Sequence, residues 1–364
     1  MTAYNAASSV GDAAAALGKG DLSGGASLNI SVGSSKSQSN STSQSDTAKG
    51  STVAAGGNVS GNATGAGKDS NLLIQGSTVT AGGNVTLAAD NEVNLQAASN
   101  TSSQKTTNSA SSGSIGVSIS TQGVSATASA SRSKGKSDGQ DLGFTNSQIT
   151  AGNTASIISG GDTNIKGAVV AANQIKLDVG KQSGGSLTIE SVQDLSTYTS
   201  SQKSSGFSIS VPITGSGSAG GSISASKSSI NSNFQSVGEQ SGLKAGDGGF
   251  QVSVANNTAL TGGVIASTQS AVDNKVNTFT TGGQLTTSDV QNTASFTGKA
   301  VGGTIGVGSQ LSSSGAGAGT MKGSAASTSS SGISGIAGNT DVRAGDAETG
   351  IKPIFNADKV QKDI

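Results

Sequence analysis

The 364-residue sequence has no cysteine, no histidine and no tryptophan, and only two prolines, two tyrosines and seven phenylalanines. Without cysteine there is no disulfide framework and no thiolate chemistry. Without histidine as well, Ser-His-Asp and Cys-His nucleophile sites are excluded, together with the zinc sites that use those ligands. An aromatic content of 2% is too small for the thick, aromatic-anchored core of an ordinary globular domain of this length. Charge is scarce too: charged residues make up 12% and the net charge is zero, so the broad basic footprint of a nucleic-acid binder is missing. The N-terminal stretch "MTAYNAASSVGDAAAALGKGDL" lacks a basic leader, and its apolar run from Ala13 to Leu17 is too short for a signal peptide or a membrane span. Any export signal is expected outside this sequence.

What is abundant is glycine, with 56 residues, about twice its average frequency. Disorder would need low hydrophobicity combined with high net charge. Here valines, isoleucines and leucines fall instead at alternating positions, which indicates β-structure. With only Pro212 and Pro353 to interrupt them, ladder hydrogen bonds can run almost unbroken.

A recurrent phrase organises the chain: "STVAAGGNVS" at Ser51, "STVTAGGNVTLAADNEVNLQAAS" at Ser77, "SQITAGNTASIISGGDTNIKGAVV" at Ser147 and "SGLKAGDGGFQVSVANNTALTGGVIAS" at Ser241. Each copy reads as short strand, Ala-Gly turn, strand, polar turn, strand. In the second copy Val79, Val85, Leu87, Val93 and Leu95 are the inward candidates. A unit of roughly 20 residues lies in the solenoid range. The fold expected is all-β, a right-handed parallel β-helix whose narrow interior suits small and β-branched side chains. Glycines are expected to supply left-handed corners, where asparagine can join them, and Asn58, Asn84 and Asn153, which recur after the Ala-Gly turn, to occupy corner positions.

Ser-rich insertions separate the phrases. Those around "GSIGVSISTQGVSATASAS" (from Gly113) and "GFSISVPITGSGSAGGSISAS" (from Gly206) share one plan, a pair of alternating strands about a Gly-rich turn, and read as hairpins inserted into the coil. The first has a thin apolar face, able either to enter a membrane or to pair with its counterpart at Gly206 to Ser228; packing is favoured because alanine suits lipid poorly. Past Thr297 the stretch "GAGAGTMKGSAASTSSSG" reads as a flexible linker. Near the end, Asn356 is placed to N-cap a short helix carrying Val360 and Ile364 on one face.

Little chemistry remains to assign. Asp162, Asp178, Glu190 and Asp194 are the carboxylates to weigh for a polysaccharide-cleaving acid-base pair, but solvated turn acids are the better reading. Arg132, Lys134 and Lys136 form a short cluster without interleaved aromatics, read as a solvated loop rather than a nucleic-acid contact. "GSGSAG" from Gly215 satisfies G-x-G-x-x-G by composition alone, with no helix pattern after it. "AGDGGF" at Ala245 occurs once, where a calcium array would need many repeats. No catalytic, cofactor-binding or metal-binding residue is assigned, and no cofactor is expected.

The phrases "GSTVTAGGNVTLAADNEVNLQAAS", "SGGDTNIKGAVV", "ESVQDLSTYTSSQKSSGFSISVPI", "EQSGLKAGDGGFQV" and "LTGGVIASTQSA" closely resemble the haemagglutinin-repeat region of filamentous-haemagglutinin-like exoproteins, in particular of contact-dependent growth inhibition effectors. The closing "AGDAETGIKPIFNADKVQKDI" resembles the junction that leads in that family to a pretoxin domain and a variable toxin. The resemblance implies two-partner secretion through an outer-membrane transporter and presentation at the cell surface as a monomeric filament segment. It further implies contact with a target-cell outer membrane or receptor and support of toxin translocation; the alternative is an adhesin module that binds a receptor and delivers nothing. The corresponding divisions are a Ser/Gly-rich segment at 1–49, the repeat β-helix with hairpins at 50–297, a linker at 298–335 and a pretoxin-like start at 336–364. The secretion domain and the toxin are expected outside the sequence, which reads as a truncated copy, with no catalysis and no nucleic-acid partner of its own.

Overall fold

A computed structural model describes residues 28–364 apart from 121–122, 182–183 and 309–313; the reading of the N-terminal stretch up to residue 27 lies outside the described residues. The fold is all-β and divides into a parallel coil and an antiparallel meander.

In the coil each complete turn contributes three strand segments. The second turn consists of Thr78–Ala81, Val85–Ala89 and Val93–Gln96. Its strands pair in parallel with the turns on either side: Val79 lies beside Val53 and Ile149, and Leu95 beside Ile74 and Ile165. Like side chains therefore stack inside. Ile74, Leu95, Ile165, Ile189 and Leu260 form one continuous column, and Ala55, Ala81, Ala151, Ala172 and Ala245 form another. Where sizes differ they compensate, since Ala155 is the neighbour of Ile175 and Ile175 that of Phe250 in a third column. All five inward candidates of the second copy are buried. Alternation places every second residue in the core, and a narrow core filled by aliphatic columns has little use for aromatic rings.

The corners use asparagine and glycine for two separate reasons. The Asn58 side chain accepts a hydrogen bond from Asn84 N at 2.8 Å, and the Asn84 side chain accepts one from Thr154 N at 3.1 Å, so each corner side chain caps the next turn. These asparagines are not left-handed, contrary to the expectation that they share that conformation with glycine: Lys275 is the one described non-glycine residue with positive φ. Nor does the Ala-Gly turn need it. A Cβ on Gly152 would lie 2.2 Å from the Gly82 carbonyl oxygen, so close backbone stacking excludes a side chain there. Positive φ belongs to another corner, at Gly76, Gly167 and Gly262.

The hairpins form a single seven-stranded antiparallel sheet. Its strands are β1 (Leu28–Asp46), β2 (Ala98–Ser120), β3 (Gly123–Thr145), β4 (Gln193–Gly215), β5 (Gly220–Val237), β6 (Val290–Gly308) and β7 (Gly315–Ser329). Spatial order follows chain order. Each hairpin leaves the coil after two turns, which explains why the partners Asn58 and Asn84 are 26 residues apart but Asn84 and Thr154 are 70 apart. The arithmetic is commensurate: two strands of a sheet and two turns of a parallel coil both advance by about 9.5 Å. Successive hairpins thus arrive side by side and pair. The hairpin from Gly113 pairs edge to edge with its counterpart, Phe207 opposite Ala130, which fulfils the packing alternative.

Buried serines seal the points where the chain returns from a hairpin. Ser147 donates to Gln96 O at 2.7 Å, and Ser331 to Ser288 O at 2.6 Å. Ser241 N donates to the Ser191 hydroxyl at 2.9 Å. Two carbonyls and one N–H that would be orphaned by the interruption are satisfied in this way.

The stretch read as a linker is instead β7 and its approaches. Lys322 lies opposite Thr297 and Ala318 opposite Val301, so the Gly/Ala alternation is a strand with minimal side chains. Its glycines seat neighbours: a Cβ on Gly323 would lie 2.4 Å from the Phe296 ring, and one on Gly319 2.5 Å from Ile364 O. Helix α1 (Gln269–Asp273) caps a turn of the coil, and α2 (Ala357–Asp363) lies on the meander. As the sequence indicates, the Asn356 side chain accepts from Lys359 N at 2.9 Å. Val360 packs with Ile230 and Phe296, and the Phe355 ring lies 5.3 Å from that of Tyr198.

Candidate functional site

The four weighed carboxylates hold structural positions. Asp162 accepts from Ser186 N at 2.7 Å across a corner. Asp178 pairs with Lys181 at 3.1 Å and Glu190 with Lys166 at 3.0 Å, both on the coil surface. Asp194 accepts from Phe144 N at 2.9 Å at the base of the meander. Its burial raises the carboxyl above the ordinary aspartate value, and the Phe144 hydrogen bond opposes this in part. No hydrogen bond or ion pair joins any of the four to another. Among the described residues, no group of three or more acidic side chains is disposed to hold a metal ion.

The Arg132 cluster has a different setting from the solvated loop expected. It lies within β3, and the register joins it to residues far away in sequence. Lys134 is directly opposite Lys203 of β4, and Lys203 directly opposite Lys227 of β5. One step further from the tip, Lys136 lies opposite Ser201, then Ser229, then Lys299 of β6. These side chains are exposed. The belt could not be recognised in the sequence, because the three lysines of the central row belong to two insertions whose pairing was still open.

The same face carries an apolar band nearer the hairpin tips. Val32, Ile115, Ala128 and Ile209 are successive cross-strand partners, as are Ala130, Phe207, Ile223 and Ile305. Phe207 and Ile209 are each 47% exposed and Ile223 62%, well beyond the scattered apolar residues of an ordinary surface. A groove of about 1090 Å³ runs along this band, lined by Phe207, Ile209, Val211, Ile223 and Val307. The opposite face differs in kind. Hydroxyls pair across strands there, Ser112 with Ser131, Ser204 with Ser226 and Ser208 with Ser222, at 2.7 to 2.8 Å, and α2 lies nearer the coil on that side.

The hemagglutinin repeat family matches residues 32–204, a span that runs from within β1 into β4 and takes in the first turns of the coil. The chain is 38% identical over 274 residues to a tRNA nuclease CdiA of Yersinia mollaretii, covering 74% of this chain and 9% of that protein. It is 35% identical over 289 residues to a deoxyribonuclease CdiA of Yersinia pseudotuberculosis, covering 79% and 26%. To a toxin CdiA of Escherichia coli it is 37% identical over 375 residues, covering 94% and 12%. The chain thus spans about a quarter or less of the length of these relatives. No solved structure matches it. The haemagglutinin-repeat match together with relatives 35–38% identical over most of the chain makes this coil with its hairpins a CdiA-like haemagglutinin-repeat region.

Proposed function

We propose that this chain is a structural and delivery segment of a surface-displayed exoprotein of contact-dependent growth inhibition, holding a hairpin sheet toward the target cell while a toxin carried elsewhere in the protein crosses the envelope. One observation carries the reading. Relatives named for unlike activities, a tRNA nuclease and a deoxyribonuclease, match this same chain at 38% and 35% identity. A segment common to both serves what their activities share, which is presentation and delivery rather than cleavage.

In this reading the exoprotein leaves the producing cell through an outer-membrane transporter, and the pretoxin-like region at 336–364 leads toward the toxin. The coil is the stiff element and the meander the contacting one. The test is a competition assay with a full-length CdiA-type exoprotein in which this chain replaces the homologous stretch. Surface display and inhibition of neighbours are expected to persist. Deleting residues 193–237, the hairpin of β4 and β5, is expected to spare display and abolish inhibition. If the swapped exoprotein inhibits normally without that hairpin, the delivery role of the meander fails. If target-cell attachment disappears along with inhibition, the adhesin reading replaces it.

A further inference from the structure

Residues 347–364 cross the hydroxyl face of the meander as a strap. At its start the Glu348 carboxylate accepts from Gln240 N and pairs with Lys244, both at 2.8 Å. Ile351 N then donates to the Ser236 hydroxyl at 2.8 Å, and beyond it Val360 is buried on Ile230 and Phe296. From Ser236 to Ile230 is six residues of β5, roughly 20 Å, so the strap carries the chain away from the coil and toward the hairpin tips. Both sides are shaped for the fit. A Cβ on Gly298 would lie 2.6 Å from Val360 Cγ1, and one on Gly350 would overlap the Val237 carbonyl oxygen.

Its attachment is unlike that of the strands beneath it. Neighbouring strands of the meander are joined by backbone ladders, the last of them between β6 and β7. Among the described residues no backbone–backbone hydrogen bond links 347–364 to that sheet. The outer edge of β7 is open, and a chain laid along it would have gained a full ladder. This one crosses the face instead, held by side-chain hydrogen bonds and apolar contact.

Those contacts make the strap separable. Helix α2 has seven residues, too few for a helix to persist in water by itself, so its order depends on the seat. No ladder of the meander passes through the strap, and lifting it leaves every strand pair intact. A segment with few backbone hydrogen bonds to its support opens locally, at less cost than unfolding that support. The far end is also the weaker one: Glu348 is fixed by an ion pair and a hydrogen bond, whereas Ile364 rests on Gly298 and Gly319. Tension on the chain beyond Ile364 therefore peels the strap from its apolar end.

We propose that residues 347–364 are a latch. Docked, the strap holds the exit of the chain against the hydroxyl face, pinned at Glu348 and seated at Val360; for delivery it lifts off as one unit while the sheet stays paired. This rests on the delivery reading and adds the step at which the exit is set free.

Hydrogen exchange of the full chain, read by mass spectrometry, tests separability. Amides of 347–364 are expected to exchange about 100-fold or more faster than those of β4 and β5. Phe355→Ala, which removes the ring lying against Tyr198 and Phe296, is expected to speed the strap further and leave β4 and β5 unchanged. Equal protection of strap and sheet, or loss of β4 and β5 protection in the variant, makes the segment a fixed part of the meander and overturns the latch. Its role is tested by locking it. The chain has no cysteine of its own, Gly298 is not left-handed, and its Cβ position adjoins Val360, so Gly298→Cys/Val360→Cys can form a disulfide. In a full-length CdiA-type exoprotein carrying this chain, the oxidised pair is expected to keep surface display, lose inhibition of neighbours and regain it with reductant, with Gly298→Cys alone treated alike as control. Inhibition by the oxidised form overturns the latch and leaves the delivery reading in place. If the control does not inhibit either, the delivery reading fails, and the role of the latch fails with it.

Discussion

The coil and the meander are both built from strands at the same spacing, yet they bury their side chains in opposite ways. In the coil, columns such as Ile165, Ile189 and Leu260 are almost fully enclosed. In the meander the corresponding aliphatic rows stand open, with Ile115 70% and Ile305 57% exposed. The coil closes on itself and so provides its own second layer. The meander is a single layer over most of its length, held by backbone ladders, serine pairs and, near its base, the C-terminal segment. The fold thus joins one region with a closed core to another whose apolar rows stay open to solvent.

The sharpest way to break that comparison is to remove core volume from the coil. Ile175 is fully buried between Ala155 and Phe250, and Ile175→Ala is expected to cost about 2–5 kcal/mol, measured by chemical denaturation of the full chain. A loss below about 1 kcal/mol would mean that the coil relaxes around the cavity. Next in size is Gly167→Ala. Gly167 has φ +63, and a Cβ there would sit 2.5 Å from that of Ala97 and 2.8 Å from Val192 Cγ2. The left-handed backbone alone costs roughly 1–2 kcal/mol for a residue with a side chain, and the contacts, made where hairpins leave the coil, add to it.

These two sites also show what was legible in the sequence. Ile175 lies in a phrase whose alternation announces a strand, and the core columns follow from repetition once like residues are stacked. The corner role of Asn58 and Asn84 was legible from recurrence, although its mechanism, a side chain accepting a backbone N–H of the next turn, required the three-dimensional offset. Strand β7 was not legible, because Gly319 and Gly323 are small in order to admit Ile364 and the Phe296 ring, and a strand whose one large apolar side chain is Met321 has the composition of a linker. The lysine row was illegible for another reason: it is made by register between hairpins, and register depends on the match between two turns and two strands rather than on local pattern.

A smaller difference, visible only as pH changes, is expected at the junction of the two regions. Burial raises the Asp194 carboxyl above its ordinary value near 3.8. A raised value in the folded state means that the folded protein holds this proton more tightly than the unfolded chain. The stabilisation this provides is complete below the unfolded aspartate value and is lost as pH rises through the folded one. Asp194→Asn keeps an oxygen that can accept from Phe144 N and removes the titration. Stability of the wild type relative to the variant is therefore expected to fall between acid and neutral pH. A constant difference across that range would show that the carboxyl is as well solvated in the folded chain as in the unfolded one.

The smallest effect on stability is expected where the comparison is most direct. Ile209 is an alternating, β-branched strand residue like Ile175, but its neighbours Ala128 and Gly221 lie beside it in a single layer and it is 47% exposed. Ile209→Thr keeps the branching at Cβ and removes apolar area that is mostly still in water, so the change should lie within about 0.5 kcal/mol. Denaturation midpoints of the two variants, measured side by side, test whether one residue type has two roles in this chain. A loss at Ile209 approaching that at Ile175 would mean that the band is covered in the free protein, by a second copy or by folding of the sheet on itself, and would remove the premise that the meander is an open contacting surface.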